Sequence, residues 1–366
     1  IGSGYLGTVY PINFKHKSVY GVRSYASIKE TRDQIDLAII ATPAASVPGL
    51  VEECGQAGVK GIVIISAGFL EVGDNGKKMV DNILAIARKY NIRIIGPNCL
   101  GFIKPSLHLN ASFANKMALP GKIAFISQSG ALCTAILDWS VEQNVGFSHF
   151  VSIGSMVDVG FHDLIDYFGR DPHTNSIVIY MESLTHARKF MSAARAFART
   201  KPIIVLKAGK SSAGAKVALS HTGTLAGNDQ SFAAAFKRAG IISVNTIQEL
   251  FNAAQTLSMQ PRPGGKKLAI VTNAGGPGVL ATDHLIQLGG QLAELADHSI
   301  EQLNSVLPAA WSHRNPVDVL GDAGAEQYGR ALEVCLQDKD VDGALVILTP
   351  QAMTKADEIA DRIVEV

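Results

Sequence analysis

Short, largely apolar runs alternate along this chain with longer segments whose apolar residues recur at helical spacing. In the first third the runs are residues 8–12, 37–41, 61–66 and 92–96, and the helical segments are 45–57 and 77–90. A run that is apolar throughout predicts a strand buried on both faces. Such strands alternating with helices predict a parallel sheet with helices on both sides. After Leu119-Pro-Gly121 the alternation resumes, with strands expected at 123–126, 150–154, 176–181 and 203–207. The helices expected with them run from the turn at 127–130 through Trp139, near 163–168, over 185–200 and over 231–239. Gln260-Pro-Arg-Pro-Gly-Gly265 marks a second break. Beyond it Lys267-Leu-Ala-Ile-Val-Thr272 nearly copies Lys122-Ile-Ala-Phe-Ile-Ser127, and each is followed by a glycine turn and a helix carrying an aspartate, Asp138 or Asp283. The pattern predicts an α/β protein of three regions, 1–118, 121–260 and 264–366, the last two related by a weak internal repeat.

Composition narrows the class. The chain has 366 residues, of which 47% are hydrophobic and 18% charged, which suits a soluble protein of two or three domains. A formal net charge of +1 favours neither nucleic acid nor an anionic membrane. No apolar run reaches the roughly 20 residues of a membrane span. The 4 cysteines are scattered without a CxxC pair, so neither a zinc site nor a disulfide framework is expected, and a reducing cytoplasm fits. Cys99 reads as a small buried hydrophobe more readily than as a reactive thiol. The chain begins without methionine in a glycine turn and stops inside a helical pattern, so a piece of a longer polypeptide is expected.

The candidate chemistry lies in the turns. His221 sits in a stretch rich in small residues, Ser211 to Gly227, that has no apolar periodicity to explain it as core. Neutral imidazole is a good nucleophile near pH 7, and we expect His221 to carry a phosphoryl group. The turns Ser127-Gln-Ser-Gly130 and Asn273-Ala-Gly-Gly276 each open a helix, whose first amides and partial positive charge suit an anion. Ser127, Ser129, Gly130, Gly275 and Gly276 are therefore candidate phosphate residues, with tight packing of the glycines as the competing explanation. Glu182, at the end of the run 176–181, is the candidate to orient the imidazole; a helix-start carboxylate is its structural alternative. Asp318 and Asp322 lie either in a closing turn or beside a phosphate site. In the first region the strand ends Ala41-Thr-Pro43, Ser66-Ala-Gly68 and Gly96-Pro-Asn98 stand where open sheets bind ligands, or are only connecting turns.

The order of these motifs resembles the nucleoside-diphosphate-forming acyl-CoA synthetases of the succinyl-CoA synthetase superfamily. The resemblance is carried by Val9-Tyr-Pro-Ile-Asn13, Ala41-Thr-Pro43, Ser66-Ala-Gly-Phe69, Gly96-Pro-Asn98, Ser127-Gln-Ser-Gly130, Ser220-His-Thr-Gly223, Asn273-Ala-Gly-Gly276 and Asn315-Pro-Val-Asp318. It implies a CoA-binding Rossmann-like domain followed by two flavodoxin-like ligase domains. It implies CoA contacts at Gly2, Gly4, Asn13, Lys15, Thr42, Pro43, Ser66, Ala67, Gly68, Pro97 and Asn98. It also implies phosphate as co-substrate, and passage of the phosphoryl group from an acyl phosphate through His221, steadied by Glu182, to Mg-ADP on an ATP-grasp domain. That domain is not in this chain and is expected from a partner subunit or a longer fusion, in an oligomer. No metal site is expected in the chain itself.

Two hypotheses stand. Gly154-Ser-Met-Val-Asp158 lacks the asparagine of the plain synthetases and looks closer to the branch fused to an acetyltransferase domain. A regulatory acyl-CoA sensor is therefore the alternative to a ligase. A third option, an NAD site at Gly2-Ser-Gly-Tyr-Leu-Gly7, lacks its acidic residue about 20 positions on, whereas Lys15, His16, Lys17 and Arg23 suit the phosphates of CoA. Thermal shift separates these last two. CoA raises the melting temperature and NAD leaves it unchanged; the reverse result would remove the CoA reading.

Overall fold

The computed structural model describes residues 2, 4–211, 213–214, 229–261 and 263–366, arranged as two compact units, Ile1–Gln260 and Pro261–Val366. Besides a two-stranded antiparallel ladder of Ser18–Val19 and Val22–Arg23, the first unit holds two sheets built on parallel strands. One is short: Leu37–Ile40, Gly61–Ile64 and Arg93–Ile95 lie side by side in that order. The second has five parallel strands in the order Ile242–Val244, Ile203–Lys207, Ser176–Met181, Pro120–Ser127, Phe147–Ser152. Numbered along the chain from Pro120–Ser127, that order is 5-4-3-1-2, the flavodoxin-like winding, in which strand order reverses between Pro120–Ser127 and Ser176–Met181.

Every strand residue of Ile203–Lys207 is buried, as are those of Phe147–Ser152. Alternate side chains feed two cores. Ala124, Ile126, Ile177, Ile179, Ile203 and Val205 pack with Phe161, Phe168 and Phe190 of two helices on one face. Ile123, Phe125, Val178 and Ile204 pack on the other with Cys133, Ile136 and Leu137 of helix Gly130–Glu142 and with Leu250 and Phe251 of helix Ile247–Met259. Burial of both faces is why these strands carry no polar alternation.

Two expectations need correction. Residues 8–12 form no strand: Ile12 makes an isolated bridge to Tyr25, and Val9 and Ile12 are exposed. An apolar run becomes a strand only where neighbours accept its backbone, and this run lies on the surface. The expected break near residue 118 also does not coincide with the sheets. Gly101–Lys104 and Leu109–Ser112 form a hairpin that pairs antiparallel with Phe147–Ser152 and belongs to the second sheet. It covers what would be an open parallel edge.

In the second unit Lys267–Thr272 is central. Gly343–Ile347 pairs along its length on one side, and Gln291–Leu292 and Val317–Asp318 pair with its two ends. The Asn315 carboxamide closes the gap between them, accepting from Ile270 N and donating to Leu268 O and Ala293 O, each at 2.9 Å. The four cysteines are all buried.

His149, on Phe147–Ser152, is 7% exposed and packs on the ring of Phe168 at 4.8 Å. Neither ring nitrogen has a hydrogen bond, and Asp171 Oδ2 stays 3.6 Å away. Burial, reinforced by the charge of Lys104 and opposed by Asp171, pushes His149 down to about 4. The unfolded chain therefore takes up this proton below about pH 6.5, whereas the folded chain does not until about 4. Stability from this site is complete above pH 6.5 and falls as pH drops towards 4, by up to about 3 kcal/mol. Urea unfolding at pH 7 and pH 4.5 should show that loss in the native chain and most of it abolished in His149→Phe. An unchanged pH slope in the variant would assign the loss elsewhere.

Candidate functional site

The carboxyl ends of the first sheet bring three of the expected turns together. Ser66 Oγ donates to Thr42 O, and Asn98 N donates to Ser66 O at 2.9 Å. Pro43 and Ala67 are exposed there, Pro97 is buried after a cis bond from Gly96, and Gly68 N donates to Glu71 Oε1 at 2.6 Å. The N-terminal candidates make local bonds instead. Asn13 Oδ1 accepts from Lys15 N and His16 N, and Asn13 N donates to Tyr25 O. Gly2, Gly4 and Lys15 are exposed, and Lys15 Nζ stands 5.5 Å from the centre of the Phe14 ring.

At the switch point of the second sheet, Ser127-Gln-Ser-Gly130 forms a tight turn. Ser129 N donates to Ser127 Oγ, which donates on to Ser129 O, both at 3.0 Å. Ser129 Oγ accepts from Leu132 N and caps helix Gly130–Glu142. The Ser127 hydroxyl is thus committed to the turn. By the geometry of a helix start, the amides of Gly130 and Ala131 have no acceptor within the helix. They are backbone groups free to meet an anion. Gly130 also packs closely: a Cβ there would lie 3.4 Å from Leu100 N and 3.9 Å from Cys99 C. The turn at 127–130 therefore adjoins the backbone that follows the Gly96-Pro-Asn98 turn. Cys99 is inert there, its thiol donating to Ile64 O at 3.3 Å and pushed by burial up to about 12.

Gln128 is the residue that sequence reasoning left without a role. Its buried Oε1 accepts from Glu182 N at 2.6 Å and Ser183 N at 2.9 Å, and its Nε2 donates to Ser183 Oγ at 3.1 Å. Glu182 is thereby fixed beside the turn, 8% exposed. Burial pushes Tyr180 up to about 12, helped by the charge of Glu182 and a hydrogen bond with it. Lys207, paired in register with Met181, was also missed; its only sequence signal is a lysine closing an apolar run. It is 3% exposed, with Nζ 5.1 Å from the centre of the Phe232 ring, and burial lowers its pKa against the opposing charges of Asp229 and Glu182. His221, with Ser220, Thr222 and Gly223, lies outside the described residues.

The second unit repeats the hydroxyl-to-backbone bonds of the turn at 127–130. Ala274 N donates to Thr272 Oγ1, which donates on to Ala274 O. Asn273 takes the place of Gln128, exchanging bonds with Thr349 N and O at 2.8 and 2.9 Å. Gly275 and Gly276 open the helix and are exposed. Two things differ. Ala274 supplies no capping hydroxyl, and Asp318 Oδ2 would lie 3.5 Å from a Cβ on Gly275. The Asp318 carboxylate thus already stands beside this helix start, while Asp322 is exposed.

Residues 5–105 match the model of a CoA binding domain, and residues 120–257 that of a succinyl-CoA ligase like flavodoxin domain. The α subunit of the ADP-forming acetate–CoA ligase II of Pyrococcus furiosus is 44% identical over 93% of this chain and 74% of its own length. The chain belongs to the ADP-forming acetate/acyl-CoA ligase family, on its α-subunit side. An Archaeoglobus fulgidus ADP-forming acetate–CoA ligase I is also 44% identical over 98% of the chain, which spans about half (52%) of that relative. The dinucleotide-forming acetyl-coenzyme A synthetase 1 of Ca. Korarchaeum cryptofilum, solved with phosphate and ADP, is similar over 99% of this chain and 78% of its own, with a TM-score of 0.94 and 36% identity. The α/β fold is thus a CoA-binding domain joined to a succinyl-CoA ligase-like flavodoxin domain.

The Gln128 clasp has a measurable worth. Gln128→Ala leaves two buried amides and a hydroxyl without their partner and should cost roughly 2–4 kcal/mol in urea unfolding. A loss below about 0.5 kcal/mol would mean that the three bonds contribute no net stability.

Proposed function

We propose that this chain carries the coenzyme half of an ADP-forming acyl-CoA ligase reaction, with acetate or a similarly small acid as the acyl group. The observation that carries this reading is the wall shared by the Gly96-Pro-Asn98 turn and the start of helix Gly130–Glu142, through Gly130 and Leu100. In this reading a thioester bound at the first sheet lies beside an anion bound at the second. The acyl group rests on the relatives named above, two of which are acetate–CoA ligases.

The three turns at 42–43, 66–68 and 97–98 suit a coenzyme crevice, because they present backbone and small side chains at the strand ends. The exposed Lys15, Lys17 and Arg23 suit its phosphates. The amides of Gly130 and Ala131 hold inorganic phosphate. A phosphate oxygen attacks the thioester carbonyl. The C–S bond breaks, CoA leaves as the thiol, and an acyl phosphate forms. A His221 ring nitrogen then attacks phosphorus, the P–O bond to the acyl group breaks, and the carboxylate departs. Glu182, held by Gln128, accepts from the other ring nitrogen and keeps the reacting one unprotonated. The phosphoryl group then passes to Mg-ADP on an ATP-grasp domain supplied by a partner subunit or by a longer polypeptide, in the cytoplasm. No observation favours the acetyltransferase-linked sensor.

Labelled phosphate with acetyl-CoA should place acid-labile label on the native chain and none on His221→Ala, which still binds CoA. Label surviving in His221→Ala would remove the histidine from the reaction. Calorimetric titration of CoA should change in heat or affinity when phosphate is present; indifference to phosphate would favour the sensor.

A further inference from the structure

The stretch Gly154-Ser-Met-Val-Asp158 takes no part in the chemistry above, yet it is tied down at every other residue. It lies along the outer edge of Arg93–Ile95 as a strap. Ser155 N donates to Pro97 O at 2.9 Å, Val157 N to Gly96 O at 3.3 Å and Val159 N to Ile94 O at 3.1 Å. Asp158 Oδ2 accepts from Ile94 N at 2.7 Å and from Arg93 Nε at 3.1 Å. Arg93 Nη2 reaches on to Asp163 Oδ1 at 3.0 Å, and Asp163 caps helix Phe161–Arg170 through Gly160 N. The neighbouring guanidinium and the Gly160 amide hold Asp163 below the usual carboxylate range against its burial.

The strap touches the coenzyme turn itself. Gly154 has φ +52, and a Cβ there would fall 2.3 Å from both Pro97 O and Asn98 O. Met156, a residue with a Cβ, holds φ +53 while 7% exposed. Backbone of that kind persists where its surroundings over-determine it. At its other end the strap continues from Phe147–Ser152, whose Ser152 Oγ accepts from Leu100 N at 3.0 Å. One segment thus runs from the second sheet to the turn of the first.

We propose that Asp158 is a positioning residue for the coenzyme crevice. By fastening the strap to Ile94 and Arg93 it fixes Pro97 and Asn98 at the start of helix Gly130–Glu142, and so sets where a thioester lies relative to the phosphate turn. The inference rests on reading the first sheet as the coenzyme site. Asp158→Ala releases the strap. Gly154→Ala presses on the turn directly. Asp158→Asn keeps an oxygen for the same two donors.

Calorimetric CoA titration of this chain, with melting temperatures recorded in parallel, tests it. Asp158→Ala and Gly154→Ala should each weaken CoA by about tenfold or more well below their melting temperatures, because small displacements of positioning groups are costly. Asp158→Asn should return to within about twofold of native, since it preserves that geometry. A lowered melting temperature with native CoA affinity in Asp158→Ala would show a merely structural role and overturn the proposal. Should Asp158→Ala fail to fold, native affinity in folded Gly154→Ala overturns it equally. A native chain that binds no CoA removes the coenzyme reading and this inference with it; a native chain that binds, with variants that bind as well, removes the inference alone.

Discussion

The carboxamide of Gln128 is buried where the strand order of the second sheet reverses, and it bonds to Glu182 N, Ser183 N and Ser183 Oγ. Strand pairing stops at these residues, so the ladder no longer satisfies their backbone. A buried amide or carbonyl without a partner is costly, and a side chain that satisfies several at once makes the pieces mutually dependent. The turn at 127–130 cannot shift without disturbing Glu182, and Glu182 cannot shift without disturbing the turn. The capped helix start, the close approach of Gly130 to Leu100 and the buried position of Glu182 all follow from that clasp.

The second unit shows which parts of this arrangement are geometric and which are chemical. Thr272, Asn273 and Ala274 reproduce the hydroxyl-to-amide turn and the carboxamide clasp. The backbone solution is the same because a strand that must turn at once into a helix has few ways to satisfy its amides. The charge differs. Asp318 lies beside the second helix start, where its carboxylate interacts favourably with the helix dipole and opposes another anion. The first helix start is capped by a neutral serine instead. Equal backbones therefore present unequal sites.

Within the first unit the two sheets meet at this edge through close backbone contacts and through Ile95 and Val157, which pack against the cores of the opposite sheets. Gly130 allows the helix start to approach the Cys99–Leu100 backbone, and the strap closes the edge of Arg93–Ile95 with three backbone bonds and a shared carboxylate. The hairpin Gly101–Lys104 and Leu109–Ser112 does the same for the far edge of the second sheet. Covering an exposed edge is a general requirement of sheets.

Much of this was legible along the chain. A strand covered on both faces favours apolar residues at most positions, so the runs at 37–41, 61–66, 92–96, 176–181 and 203–207 announced themselves. The turns were legible because glycine, proline and serine are what a strand-to-helix reversal demands. The run at 8–12 read the same way and failed, because whether a run finds partners on both sides is not written in the run. Gln128 and Asp158 carried no local signal, and Lys207 only that of a lysine closing an apolar run. The partners of Gln128 lie 54 and 55 residues away, and Ile94 lies 64 residues from Asp158. Sequence by itself determined which segments could be buried and where the chain could turn, since both depend on local chemistry. Which strand ends stand side by side, and so which carboxylate meets which amide, was decided only by the winding of the sheets.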